Sequence, residues 1–128
     1  MANEANITAV DLFAGCGGMS LGFEKAGVDV VAAYDNWDAA IDVYRANFEH
    51  PVFKRDLSDV SVAEEVSSFS PDIIIGGPPC QDFSQAGKRS EDGGRAILSV
   101  RYAEIIAKCT PQFIVMENVP RVRTSMAM

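Results

Sequence analysis

Apolar residues in this chain gather in short dense runs, and the stretches between them carry apolar positions at helical spacing. "ITAVDLF" (7–13) is a mostly apolar run that predicts a buried strand; "AGCGG" follows as a glycine turn, and "MSLGFEKAG" (19–27) has the length and spacing of a short helix closed by Gly27. "VDVVAAY" (28–34) predicts a second strand, and "WDAAIDVYRANF" (37–48) a helix with Trp37, Ile41, Tyr44 and Phe48 on one face. "PVFKRD" (51–56) reads as a short third strand, "SVAEEVSSF" (61–69) as a helix with Ser61 as its cap, and "DIIIGG" (72–77) as a fourth strand. "RAILSVRYAEIIAKC" (95–109) predicts a longer helix and "QFIVMENV" (112–119) a fifth strand.

Strands alternating with helices imply right-handed crossovers and a parallel sheet covered on both faces, hence a doubly wound α/β domain. In such sheets ligands lie beyond the carboxyl ends of the strands, where strand order reverses. The loops "FAGCGG", "YDNW", "RDLSD", "GGPPCQ" and "ENVP" all fall just after strands, so function is expected to collect there. The closing "RVRTSMAM" offers Thr124 or Ser125 as a helix cap and then stops within one turn. The sheet is therefore expected to be cut off mid-fold, with about five strands present and the last ones missing.

A length of 128 residues is enough for one core and small for a second domain. The N-terminus lacks a basic region followed by a long apolar stretch, and no run nears the length of a membrane span, so the expected location is the cytoplasm, with no membrane partner. Three cysteines without C-x-x-C spacing argue against a disulfide framework or a zinc ribbon, and no metal is expected; Cys109 and Cys16 read as inert buried thiols. The net charge of -7 speaks against a nucleic-acid clamp, but its distribution changes that picture. Residues 1–75 hold 13 acidic and 4 basic side chains, whereas residues 76–128 hold 5 acidic and 7 basic ones. An anionic surface is expected to meet the second half.

Glycines between a strand and a helix let a ligand approach the backbone closely, with helix N–H groups facing it; a plain tight turn gives the same spacing. Asp35, about twenty residues beyond the loop, stands where an acidic side chain commonly accepts from ribose hydroxyls, and the two together favour an adenosine-containing cofactor. Asp56 can accept from an adenine amino group or simply close an Asx turn or cap a helix. Pro78 and Pro79 fix the backbone and stiffen the approach to Cys80, a thiol at a strand end on the ligand side, which makes it a candidate nucleophile as well as a candidate structural residue. Glu117 follows "FIVM" at the sheet's edge, where partial burial favours a protonated donor, or where it caps a helix or pairs with a base; Asn118 can support the loop through backbone hydrogen bonds.

The order and spacing of "DLFAGCGG", "GGPPCQDFS" and "ENV" resemble the cytosine-C5 DNA methyltransferase family, from about Val10 to Val119. The resemblance implies a Rossmann-like fold using S-adenosyl-L-methionine. It implies Phe13, Gly15 and Gly17 in the cofactor loop, Asp35 at the ribose, Asp56 and Leu57 at the adenine, and Pro79 in the wall. It implies Cys80 as the nucleophile and Glu117 gripping a flipped cytosine of DNA, with Pro78 and Asn118 supporting them. "SQAGKRSEDGGR" (84–95) looks like the family's mobile catalytic loop: Gln81 and Ser84 adjoin the thiol, and Lys88, Arg89 and Arg95 are candidates for phosphate.

Two departures qualify that likeness. Residues 1–128 match a partial catalytic domain without the arginine-bearing motif, the target-recognition region or the last motifs, so a missing C-terminal segment or a partner subunit is implied. Some relatives carry an acid directly before the tryptophan, where this chain has Asn36; counting back from "YRANF" selects Asp35. The implied reaction is methylation of cytosine C5 through a covalent cysteine–C6 intermediate, with little or no turnover by the chain alone. The alternatives are an RNA cytosine methyltransferase, a non-catalytic cofactor-binding or scaffolding subunit, and a generic nucleotide-binding domain in which Cys80 is structural.

Overall fold

The computed structural model describes residues 5–79 and 93–118, and of residues 93–96 the backbone alone. Nine elements alternate along it: β1 (Thr8–Leu12), α1 (Gly18–Lys25), β2 (Asp29–Asp35), α2 (Asp38–Asn47), β3 (Val52–Lys54), α3 (Val62–Ser67), β4 (Ile73–Gly76), α4 (Gly93–Cys109) and β5 (Phe113–Met116). The strands form one parallel sheet in the order β3-β2-β1-β4-β5. The expected α/β architecture is thus observed, with chain order reversing at β1 and β4.

Side-chain alternation assigns the helices to two faces. Val10, Leu12 and Ile74 pack with Val62 and Val66 of α3 and Tyr102 and Ile105 of α4. On the other face Ala9, Ile73 and Ile75 meet Met19 and Phe23 of α1, and Ala33 meets Ile41 and Tyr44 of α2. Ala9 pairs with Val30 but Val10 pairs with Ala32, so β2 carries one extra residue, Val31. This bulge lets Val30 and Ala32, two apart in sequence, serve opposite faces.

Several expectations need correction. Trp37 does not join the α2 stripe; it stands before the helix in extended backbone and is 65% exposed, while Ile41 and Tyr44 are buried. Ser61 occupies the position before α3 but makes no side-chain cap; its N–H and hydroxyl both donate to Asp59 Oδ1, so the acid closes the turn instead. Cys16 is exposed rather than buried, because the glycine loop carries it outward, whereas Cys109 is half-buried and its thiol is pushed up by that burial. β5 pairs with β4 on one side, yet all four of its residues, Phe113 to Met116, are exposed.

Candidate cofactor and active site

A cavity of about 340 Å³ opens at the carboxyl end of the sheet. Its wall brings together Phe13, Asp35, Asp56, Leu57 and Pro79, contributed by the end of β2 and the loops after β1, β3 and β4. Asn36, Arg55, Ser58 and Leu98 complete it. Asn36 was named from sequence only as a departure from some relatives, and the other three were not singled out. Arg55 and Ser58 flank Asp56 and Leu57, so adjacency was the available signal, whereas Leu98 arrives on α4 and carries no local mark.

The glycine loop follows from backbone geometry. Gly15 and Gly17 have φ of 56° and 97°, and Phe13, an L-residue, also lies in the left-handed region at 56°. Such a conformation costs about 1–2 kcal/mol outside glycine, so the loop stores strain where the cavity needs an aromatic wall. A Cβ on Gly17 would come within 2.4 Å of Phe48 Cε2 and 2.9 Å of Tyr44 Cδ2, which fixes the loop tightly over α2. Asp35 ties it to β2: Oδ2 accepts from Gly15 N at 2.8 Å, and Oδ1 accepts from the backbone N–H groups of Asn36 and Trp37. A carboxylate has about four acceptor directions, so Asp35 keeps capacity for a ligand hydroxyl.

Asp56 makes the Asx turn weighed as one of its readings. Its Oδ1 accepts from Ser58 N at 2.9 Å and from the Ser58 hydroxyl at 2.7 Å, and these bonds hold its carboxyl below the usual range. Leu57 is buried beside it, and Arg55 lies over the Phe53 ring while pairing with Glu65.

The ends of β4 and β5 are joined. Glu117 N donates to Gly76 O at 2.9 Å, and Asn118 Nδ2 donates to Pro78 O at 3.0 Å. A Cβ on Gly77 would lie 3.2 Å from Glu117 Oε2, so the Glu117 carboxylate lies beside the Gly77–Pro79 segment that leads to Cys80. Glu117 is exposed, which corrects the expected partial burial: β5 has no neighbour on its outer side among the described residues. Cys80, Gln81, Ser84, Lys88 and Arg89 lie outside the described residues, and of Arg95 only the backbone, in the first turn of α4, is described.

Beneath the loop runs a polar chain that sequence reasoning passed over. Ser20 Oγ is 2.6 Å from Asp11 Oδ2, Tyr44 OH is 2.8 Å from Ser20 Oγ, Tyr44 OH also bonds His50 Nε2, and His50 Nδ1 is 3.1 Å from Glu24 Oε1. Burial pushes the Asp11 carboxyl up to about 6 and moves the His50 imidazole down. An acid in the middle of an apolar strand was the available signal.

Comparison with known proteins bears on the family and the fold. The profile of the family described as C-5 cytosine-specific DNA methylase matches residues 7–127. Type II methyltransferase M.HgiDI of Herpetosiphon aurantiacus is 54% identical over 117 residues, covering 91% of this chain and 38% of that protein. Type II methyltransferase M.HgiGI of the same organism is also 54% identical, with 91% of this chain and 93% of that sequence covered. Among solved structures, a prophage-encoded Escherichia coli protein described as a DNA modification methyltransferase superposes with a TM-score of 0.76 at 35% identity, over 91% of this chain and 33% of that one. The chain thus spans well under half the length of M.HgiDI and of this structural neighbour. With the profile matching nearly end to end, the chain belongs to the C-5 cytosine-specific DNA methylase family.

Proposed function

We propose that this chain is the cofactor-binding, nucleophile-bearing part of an enzyme that methylates C5 of cytosine in DNA, with S-adenosyl-L-methionine as methyl donor. The observation that carries the reading is the cavity, whose walls suit an adenosine group. Asp35 offers acceptor capacity for ribose hydroxyls, Asp56 keeps its Oδ2 unbonded among the described residues, and Phe13, Leu57 and Pro79 supply apolar surface. When bound, S-adenosyl-L-methionine supplies the methyl group that C5 receives.

The residues divide the remaining work. Cytosine C5 is a poor nucleophile until the Cys80 thiolate adds at C6; Glu117, as the carboxylic acid, donates to N3 and stabilises the electron density that this addition moves into the ring. After methylation C5 gives its proton to water, the C5–H electrons form the C5–C6 double bond, the Cys80–C6 bond breaks with its electrons returning to sulfur, and the aromatic ring is restored. A base within a duplex cannot reach the thiol, so the target must flip out, and Lys88, Arg89 and Arg95 are suited to the phosphates around it. Gln81 and Ser84 follow the thiol closely in sequence, and Asn118 braces Pro78 through its carbonyl.

We further infer that turnover needs additional polypeptide, in the same chain or in a partner subunit, that reads DNA and covers β5. The exposed apolar strand and the greater length of M.HgiDI support this. The test is trapping on a 5-fluorocytosine duplex. With the complementing polypeptide present, wild type is expected to form a denaturation-resistant adduct and Cys80→Ser none. Adduct with Cys80→Ser, or sequence-specific methylation by the 128-residue chain alone, would overturn the reading. Preferential tritium transfer to tRNA over duplex DNA would replace DNA by RNA as the substrate.

A further inference from the structure

The polar chain from buried Asp11 to exposed Glu24 has four contacts, and each hydrogen bond needs one proton between its two heavy atoms. Serine and tyrosine have one to give, a neutral imidazole one, and a carboxylate none. With Asp11 ionised and His50 neutral, three protons serve four contacts, and one contact is left without a donor. One further proton completes the chain in either of two patterns. In the first, Asp11 is a carboxylic acid donating to Ser20, Ser20 donates to Tyr44, Tyr44 donates to Nε2, and Nδ1–H donates to Glu24. In the second, His50 is an imidazolium whose Nε2–H donates to Tyr44, Tyr44 donates to Ser20, and Ser20 donates to an Asp11 carboxylate. Both hold the same number of protons, and moving one proton along each of the three inner links converts one into the other.

We propose that Asp11 and His50 share one proton through Ser20 and Tyr44, and that His50 is thereby a positioning residue for the glycine loop. The chain brackets that loop. Asp11 precedes it on β1, Ser20 follows it on α1, and Tyr44 on α2 touches the space where a Gly17 Cβ would stand. Asp11 is 1% exposed and its Oδ1 has no hydrogen-bond partner among the described residues, a situation less costly for the carbonyl of an acid than for a carboxylate oxygen. Burial is the largest influence on Asp11; the Ser20 hydroxyl and backbone N–H favour its carboxylate, whereas Asp35 at the end of β2 repels its charge, and Tyr102 of α4 offers it no positive partner. Around His50, Glu24 of α1 and Asp29 of β2 favour the imidazolium, and burial opposes it.

The role at the loop rests on the cofactor reading above; the shared proton does not. His50 is the sole histidine of the sequence, so its ring nitrogens can be read directly by nitrogen-15 NMR on the full chain. Below pH 6, where burial keeps Asp11 in its acid form, the neutral ring is expected to carry its proton on Nδ1, moving to Nε2 as the extra proton leaves on raising the pH through about 6 towards 8. In Asp11→Asn the amide N–H donates to Ser20 in place of the acid, and the Nδ1–H form should persist across the same range. A neutral ring protonated on Nε2 throughout, or identical titrations in wild type and Asp11→Asn, would overturn the shared proton; should the variant not fold, the wild-type nitrogen shifts decide alone. Titration with S-adenosylhomocysteine should show wild-type affinity falling about fivefold over that range, the equivalent of one hydrogen bond, and Asp11→Asn staying flat. Wild-type affinity unchanged with pH would overturn the positioning role. No binding at any pH would count against the cofactor reading instead, leaving the shared proton to the nitrogen shifts.

Discussion

Burial moves the Asp11 carboxyl from 3.8 to about 6, and the sign of that move sets its effect on stability. A raised value means the acid form suits the folded state. Its contribution is full below 3.8 and is lost as pH rises through about 6. The loss amounts to about 3 kcal/mol at most, from 1.36 kcal/mol per tenfold change in proton affinity. Asp11→Asn should therefore unfold at higher urea concentration than wild type near neutral pH, by up to that amount, with the advantage shrinking as pH falls towards 4. Urea titrations across that range check it; an Asn variant less stable at neutral pH would show that ionised Asp11 is well solvated in place. Phe13 presents the opposite balance, since its left-handed backbone costs folding free energy while its ring builds the cavity wall.

At the scale of elements, the glycine loop depends on α2 as much as on its own glycines. Gly17→Ala places a methyl 2.4 Å from a Phe48 ring that is itself stacked on Tyr44 with centroids 4.3 Å apart, so neither ring can retreat freely. Overpacking and positive φ together should cost about 3 kcal/mol; a thermal midpoint within a degree of wild type would refute the tight seat. The same packing shows what sequence made legible. Asp35 and Asp56 were legible from their places at or just after strand ends, and Phe13, Leu57 and Pro79 through the family resemblance; the parallel sheet brings those strand ends to one place. Leu98, and the contacts linking Asp11 to His50, were not recognisable, because they depend on how helices settle over the sheet and join residues far apart in sequence. Trp37 misled because helical spacing continues past the residue where helical backbone begins. The exposure of Glu117 was likewise hidden, since burial depends on what lies beyond β5.

For the molecule as a whole, β5 is the exposed margin. Phe113 and Val115 alternate with Ile114 and Met116, yet all four remain 39–59% exposed. An apolar, unpaired edge invites pairing with another strand. The 128-residue chain should self-associate with rising concentration, and Ile114→Lys should suppress this in sedimentation velocity while changing unfolding free energy by no more than about 0.5 kcal/mol, as for an exposed position. Loss of the fold on that substitution would mean the strand is already packed. The inner seam has a different consequence. Ala9 pairs with Ile73 across β1 and β4, by far the longest sequence separation of any pairing in the sheet. Phe13 and Pro79 extend from those two strands, so the cavity does not exist until this late, entropically expensive closure is made. As the chain emerges during synthesis, β1, β2 and β3 can assemble first with nothing to hold. Occupancy of the site then marks the moment at which the fold has closed upon itself.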